Sequence, residues 1–440
     1  MSREMKDSGI IDGLKIPSHW EVRKFGQICS VITDFVASGS FADLRENVKY
    51  LDEPDYAMLV RAADLSNSSK EKKCVYISES SYNFLCNSNL FGGEIILPNI
   101  GSIGDVYIVP KELYSHMSLA PNSIMFKTKE EDRYYYYYYQ SKIGYVQLQT
   151  ISESTAMPKF NKTDLRQLKI LVPPLAEQQA IADFLDKKCN EIDELVSLQE
   201  KMIEELKAYK QSVITEAVCK GLKHSVPMKD SGIEWVGKMP IHWEIRRLKY
   251  IGKSENGLTY SPNDICDNSN GGILVLRSSN IQGGKLSFHD NVYVNSAPSS
   301  LHVKKGDIIL CSRNGSAALV GKSAIVESDI YATFGAFMMR FRSNHHAQYI
   351  NYLLTAAISK YKQLFSTTTI NQLTISVFGN LEMPFVISRF EQQEIADYLD
   401  KKCSEIDQLI AIKQQKIVEL KDYKKSLIYE YTTGKKEVKL

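Results

Sequence analysis

The side chains of this 440-residue chain best suited to a site lie in glycine-punctuated turns, and their chemistry is recognition rather than bond-making. Arg313, Asn314 and Ser316 share the turn Arg313-Asn314-Gly315-Ser316. Arginine matches the O6 and N7 edge of guanine, asparagine and glutamine match N6 and N7 of adenine, and serine, threonine and lysine hold phosphates. The same types recur at Arg277, Asn280, Lys322, Thr367, Thr368, Asn371 and Gln372, and earlier in the chain at Arg61, Asn99, Ser102, Lys159, Asn161 and Lys162. Gly101, Gly104, Gly315 and Gly321 stand beside them, where the backbone can turn sharply or approach a ligand. Polar turn residues are commonly only solvated, so these positions are candidates by type and place, with the Arg313 turn foremost.

Motifs that would make bonds fall away on inspection. Gly315 to Ser323 resembles a phosphate-binding loop but has five residues between its glycines where the cradle needs four, and no helical pattern follows. The eight cysteines form no C-x-x-C pair, which argues against zinc sites and a disulfide framework. Six consecutive tyrosines, Tyr134 to Tyr139, could stack on bases, yet at helical spacing most must face a core. The E-x-K triplets ending at Lys207 and Lys421 lie in helical segments and read as solvated charges. His19 and His242 recur beside Trp20 and Trp243, which favours a structural role at a domain edge. There is no G-x-G cofactor loop, and Val172-Pro-Pro-Leu175 lacks the amide and aromatic of a base-flipping methyltransferase tetrad. The reading is non-catalytic, with no metal and no cofactor.

The elements that position the turns come in duplicate. Glu177 to Glu216 and Glu391 to Glu430 match at a constant offset of 214, and the leaders MKDSG…P-x-HWE at Met5 and Met228 precede them. Each long segment carries a heptad stripe free of glycine and proline. The stripe is read as Leu185, Ile192, Leu206 and Val213 with Leu195, Met202 and Tyr209 between, widened by Val196 and Ile203. The second copy gives Leu399, Ile406, Leu420 and Leu427 with Leu409 and Tyr423, widened by Ile410 and Ile417. Gln199 and Lys413 interrupt one seam position. Forty-four residues make a helix of roughly 66 Å, and antiparallel pairing of the copies is expected.

Between the helices, short apolar runs and turn clusters predict mostly-β bodies. The runs include Tyr56 to Val60, Glu94 to Leu97 and Ile124 to Phe126, with counterparts Gly272 to Leu276, Asp307 to Leu310 and Phe337 to Phe341. One helix is predicted in each body, from Arg133 and from Ala347. The predicted class is α+β, with two pseudo-twofold-related bodies separated by two long antiparallel coiled-coil helices. The boundaries are 1–175 and 223–388 for the bodies, 176–222 and 389–440 for the helices.

A net charge of +2 conceals an asymmetry. Residues 1–174 hold 20 basic and 21 acidic groups, a net of −1, whereas residues 222–388 hold 17 and 11, a net of +6. Such modest charge gives weak non-specific attraction to nucleic acid, so tight binding needs partner subunits or good base contacts. No run of eighteen apolar residues and no hydrophobic leader is present, and the expected place is the bacterial or archaeal cytoplasm.

The order of a strand, an Arg-bearing turn, a Gly-rich turn, a helix, then EQQ-x-IAD-x-LDKKC and a coiled-coil segment, given twice, resembles the specificity subunit of Type I restriction–modification systems. The resemblance covers nearly the whole chain. It implies two target-recognition domains that each read half of a bipartite asymmetric site in double-stranded DNA, with the helices setting the spacer. It also implies two modification subunits that methylate adenine and two restriction subunits with motor and nuclease. S-adenosylmethionine, ATP and magnesium would then belong to those partners. Docking is expected on the helices, near Lys210 and Lys424. A related system with fused modification and nuclease functions, and a coiled-coil adaptor without DNA readout, remain as alternatives.

Overall fold

The computed structural model describes residues 4–66, 73–152, 158–223, 225–267, 271–362 and 371–438. Packing divides the chain into two units, Met1–Glu200 with Gln415–Leu440, and Lys201–Gln414. The division cuts through both long helices, Leu175–Lys220 and Arg389–Thr432. Each unit therefore holds one mostly-β body with a stretch of each helix.

In the first unit, one four-stranded sheet runs in the order Cys29–Asp34, Ser123–Thr128, Ile95–Pro98, Tyr107–Ile108. The other runs Tyr76–Ile77, Ala57–Val60, Met117–Leu119, Asn89–Leu90. The second unit repeats the plan. Its sheets are Gly252–Asn256, Met338–Ser343, Ile308–Cys311, Ser323–Ile325, and Ile265–Cys266, Tyr293–Val294, Ile273–Leu276, Ala332–Phe334. Each second sheet contains one parallel pair. The central strands are apolar without alternation because both faces are covered, as at Ile95–Pro98 and Ile308–Cys311.

The predicted single helix from Arg133 is two, Asp132–Gln140 and Lys142–Thr150. Ser141 is extended between them and caps the second, its hydroxyl accepting from the Gly144 amide at 3.4 Å. The tyrosines are core: Tyr134, Tyr135, Tyr137, Tyr138 and Tyr139 are buried. Tyr137 donates to Asp186 at 2.7 Å, and in the second unit Tyr352 donates to Asp400 at the same distance, so each body is tied to its own long helix.

Within each unit the two long helices run antiparallel. In the first, Phe184 packs on Tyr431 with ring centroids 4.4 Å apart, Asp193 pairs with Lys424 at 2.6 Å, and Glu200 with Lys421 at 3.9 Å. As one number rises the other falls. In the second, Lys210 pairs with Asp407 at 2.7 Å, and Lys223, just past the helix end, with Glu394 at 3.7 Å. The buried seam is Leu185, Cys189, Ile192, Val196 and Ile203, a spacing of four and three, and then Val213. The second helix buries Leu399, Cys403, Ile406 and Leu427. This corrects the expected stripe: Leu195, Tyr209, Leu409 and Tyr423 are exposed, and Met202 and Leu206 are half-buried, while Leu420, half-buried, packs against the core of the first unit. A residue one place before a seam position is turned by about 100° around the helix, which carries Leu195 away from Val196. Burial also pushes the Cys189 thiol up to about 11, as befits a small packing residue.

The leaders explain the recurring EQQ. Trp20 is fully buried and its ring N–H donates to Glu177 at 3.0 Å, while Trp243 donates to Glu391 at 3.1 Å. His19 and His242 reach the same carboxylates. The next residue, Gln178, is buried and donates to the Pro173 carbonyl at 2.8 Å; Gln392 donates to Val386 at 2.6 Å. Each long helix ends on a glycine of positive φ, Gly221 at 71° and Gly434 at 70°. A Cβ on Gly434 would lie 2.5 Å from the Pro17 ring and 3.1 Å from Trp20, and one on Gly221 would lie 3.2 Å from Trp243. Among the described residues, no helix is long and apolar enough to cross a membrane and no His, Cys, Asp and Glu cluster could hold a metal.

An alanine at Gly221 is expected to cost about 1–2 kcal/mol for its left-handed backbone alone. Gly434→Ala is expected to cost more, because ring atoms of Pro17 must also move. Chemical denaturation of the two variants checks the order.

Candidate nucleic-acid interface

Two turns, one in each body, gather half of the candidate residues between them. After the central strand Ile95–Pro98 the chain turns through Asn99 to Ser102, and Ile100 bridges Lys159 of the returning segment. Asn99 donates to the Phe160 carbonyl at 3.0 Å, and the Gly101 amide donates to Pro158 at 3.1 Å. In the second body, Arg313–Asn314 leaves Ile308–Cys311 and pairs with Asn371–Gln372, in the register Arg313 to Gln372 and Asn314 to Asn371. The strand registers align the copies: Ile95 and Ile308 both sit opposite a phenylalanine, Phe126 and Phe341. Ile100 thus corresponds to Arg313, and Lys159 to Gln372. The frame is shared while the side chains on it differ.

Glycine closes this frame at a corresponding place in each copy. Gly104 has φ 107° and lies so near Tyr145 that a Cβ would stand 2.3 Å from its ring; Gly321 has φ 86° and would stand 2.2 Å from Ile358. Gly315 needs no such freedom, having no positive φ and open space about it. There the turn is shaped by Asn314, whose side-chain Oδ1 accepts from the Ser316 backbone amide at 3.0 Å. Asn371 donates to the Gly315 carbonyl at 3.1 Å, and Ser316 and Gln372 are exposed. Arg313 lies over the Phe337 ring at 5.4 Å.

Other candidates are tied into the fold. Arg61 caps a short helix and pairs with Asp64 at 2.7 Å, and that hydrogen bond raises its already high pKa. Arg277 pairs with Asp290 at 2.8 Å; hydrogen bonds from Ser279 and Arg277 hold the Asp290 carboxyl below the usual range. Asn280 is fully buried, donating to Ser287 at 3.0 Å and Asp290 at 3.1 Å while its oxygen accepts from the Arg277 amide at 2.9 Å. Asn161 caps the helix Lys162–Gln167, and Lys162 pairs with Asp34 at 2.8 Å. Lys322 reaches the Ser278 carbonyl at 3.4 Å, and a strand rather than a helix follows it. Ser102 and Lys159 are exposed on the first turn. Thr367 and Thr368 lie outside the described residues.

The sequence reading missed the neighbour of the first turn. A cleft of about 490 Å³ is lined by Phe41, Arg45, Tyr50, Asn99, Ile100 and Asn122, among others. Asn122 has φ 67°, and its carbonyl accepts from the Asn99 amide at 3.1 Å. Where the first copy has the helix Phe41–Asn47, the described residues of the second have only the single turn Pro262–Asp264, so the repeat did not point to it; an exposed Phe41 four residues before Arg45 was the available signal.

The sequence profile of the Type I restriction modification DNA specificity domain matches residues 17–208 and again 240–422. The Type I restriction enzyme MjaVIII specificity subunit of Methanocaldococcus jannaschii is 25% identical over 448 residues, covering 97% of this chain and 95% of that protein. The Type I restriction enzyme EcoKI specificity subunit of Escherichia coli K12 is 22% identical over 331 residues, covering 71% and 65%. Two solved structures share the fold at 14% identity. One, from a study of complex assembly and conformational transition of the type I R-M system, has a TM-score of 0.72 and covers 95% of this chain and 99% of its own. The other, the HsdS subunit from Thermoanaerobacter tengcongensis, has a TM-score of 0.53 and covers 96% and 99%.

Two substitutions separate framework from surface. Asn280→Ala leaves buried carbonyls without donors and is expected to destabilise the chain by about 1–3 kcal/mol. Ser316→Ala is expected to stay within about 0.5 kcal/mol. Thermal unfolding distinguishes them.

Proposed function

The chain belongs to the Type I restriction modification DNA specificity domain family, and on that premise we propose that it is the non-catalytic DNA-reading subunit of a restriction–modification complex, each body reading one half of a bipartite asymmetric site. The observation that carries this is the pair of corresponding turns. The backbone pairing falls at the corresponding place, a single bridge in the first copy and a two-residue ladder in the second, yet one copy presents Ile100 and Lys159 where the other presents Arg313 and Gln372. Different side chains on one frame are what two different half-sites require. The +6 charge of residues 222–388 favours contact with phosphate in the second body.

Chemistry belongs to the partners in this reading. Two modification subunits methylate adenine with S-adenosylmethionine, and two restriction subunits use ATP and magnesium; all act in the cytoplasm. Docking uses exposed apolar side chains of the long helices. In the first unit these are Leu195, Leu198, Val418 and Tyr423, and in the second Tyr209, Leu409 and Ile412. Lys210 and Lys424, near which docking is expected, are engaged with Asp407 and Asp193 in helix pairing.

Replacing residues 223–388 by another recognition body is expected to change one half of the methylated motif and leave the other intact. Mapping methylated bases by single-molecule sequencing reads the outcome, and a change in both halves would contradict independent readers. Four residues inserted in each long helix add about 6 Å and are expected to lengthen the spacer by near two base pairs. Ile412→Glu is expected to reduce co-purification of modification subunits without lowering the chain's own thermal midpoint.

A further inference from the structure

Nearly every arginine among the described residues is already occupied. Of the twelve among the described residues, ten direct the guanidinium to a carboxylate or a backbone carbonyl. The two that do not are Arg45 and Arg313. One lies in each unit.

Both stand at the same turn of their respective bodies. Arg313 is on the turn itself, in backbone register with Gln372. The corresponding residue of the first body is Ile100, which cannot donate, and Ile100 lines the cleft whose wall includes Arg45. The cation missing from the first turn is thus supplied from its side by the helix Phe41–Asn47.

Each of these arginines also keeps company with an aromatic ring left in water. The Arg313 guanidinium lies 5.4 Å above Phe337, which is 60% exposed. Arg45 follows by four residues Phe41, 81% exposed, so the two share a helix face. The Phe337 ring beneath the Arg313 guanidinium orients its planar fork while leaving its N–H donors unused. Exposed apolar surface beside an unpaired charge marks a surface awaiting a partner. A planar fork with free donors suits guanine, whose O6 and N7 accept two parallel hydrogen bonds in the major groove. An arginine held by a carboxylate would first have to break that bond, and so is the poorer reader.

We propose that Arg45 and Arg313 are the guanine-reading residues of the two half-sites, one for each body. This rests on the DNA-reading function proposed above, and it adds that each half contains a G·C pair whose identity depends on a single named arginine.

Lysine replacements provide the test, because lysine keeps the charge and loses the fork. The full chain, reconstituted with its modification subunits, is presented with a duplex library randomised across both half-sites, and methylated products are sequenced. Arg45→Lys is expected to relax discrimination at one G·C position of one half by about five- to a hundredfold, and Arg313→Lys to do so in the other half only. Uniform weakening on alanine substitution that lysine restores would make the residue a phosphate contact and overturn the proposal. So would unchanged preference in both variants, or a wild-type half-site without a G·C pair. A wild-type complex that methylates without any bipartite preference would instead overturn the DNA-reading function itself.

Discussion

Each copy of the repeat begins with a tryptophan that both long helices share. Trp20 donates to Glu177 at the start of the first helix and packs against Gly434 just past the end of the second. Trp243 donates to Glu391 and packs against Gly221 in the same way. A ring held by the start of one helix and the end of the other admits only antiparallel pairing within that unit. The buried indole N–H needs its carboxylate, since an unmet donor there costs about 1–3 kcal/mol, and the close approach needs glycine. Leader, EQQ and terminal glycine are therefore one device, although they lie far apart in the chain.

The charge pairs repeat the device further along the helices. Asp193 and Asp407 are corresponding residues of the two copies, as are Lys210 and Lys424, at the offset of 214. Asp193 pairs with Lys424 in one unit and Lys210 with Asp407 in the other, so one pair is made twice with the copies exchanged. Exposed pairs of this kind add little to stability, about 0–1 kcal/mol each, but they penalise a shifted register. Exposed side chains on the turns can then change without disturbing the frame. The turns are bounded by short ladders and by Gly104 or Gly321, and side chains between them such as Ser102 and Ser316 are exposed.

The duplication, the central strands and the long helices were legible because each leaves a periodic or repeated pattern. The seam was legible only in part. Leu185 and Ile192 announce a heptad, but Leu195 and Val196 are both apolar, and only packing shows that Val196 faces inward. The break at Ser141 was hidden because serine reads as a tolerable helix residue until its hydroxyl is seen capping the next turn. Among candidate contacts, residue type could not distinguish Asn314 at an exposed turn from Asn280, fully buried with several partners. Arg45 left no repeat signal, since the second copy has in that interval, among the described residues, only the single turn Pro262–Asp264, which carries no arginine.

The antiparallel pairing of the helices is most directly tested on the unmodified chain by zero-length carbodiimide coupling, which joins amines and carboxylates already in contact. Mass spectrometry of the monomer is expected to find Asp193 joined to Lys424 and Lys210 joined to Asp407, pairs that lie at 2.6 and 2.7 Å. Coupling of Asp193 to Lys401 or Lys402, and of Lys210 to Glu419 or Asp422, would mean that the helices run the same way and would contradict the account.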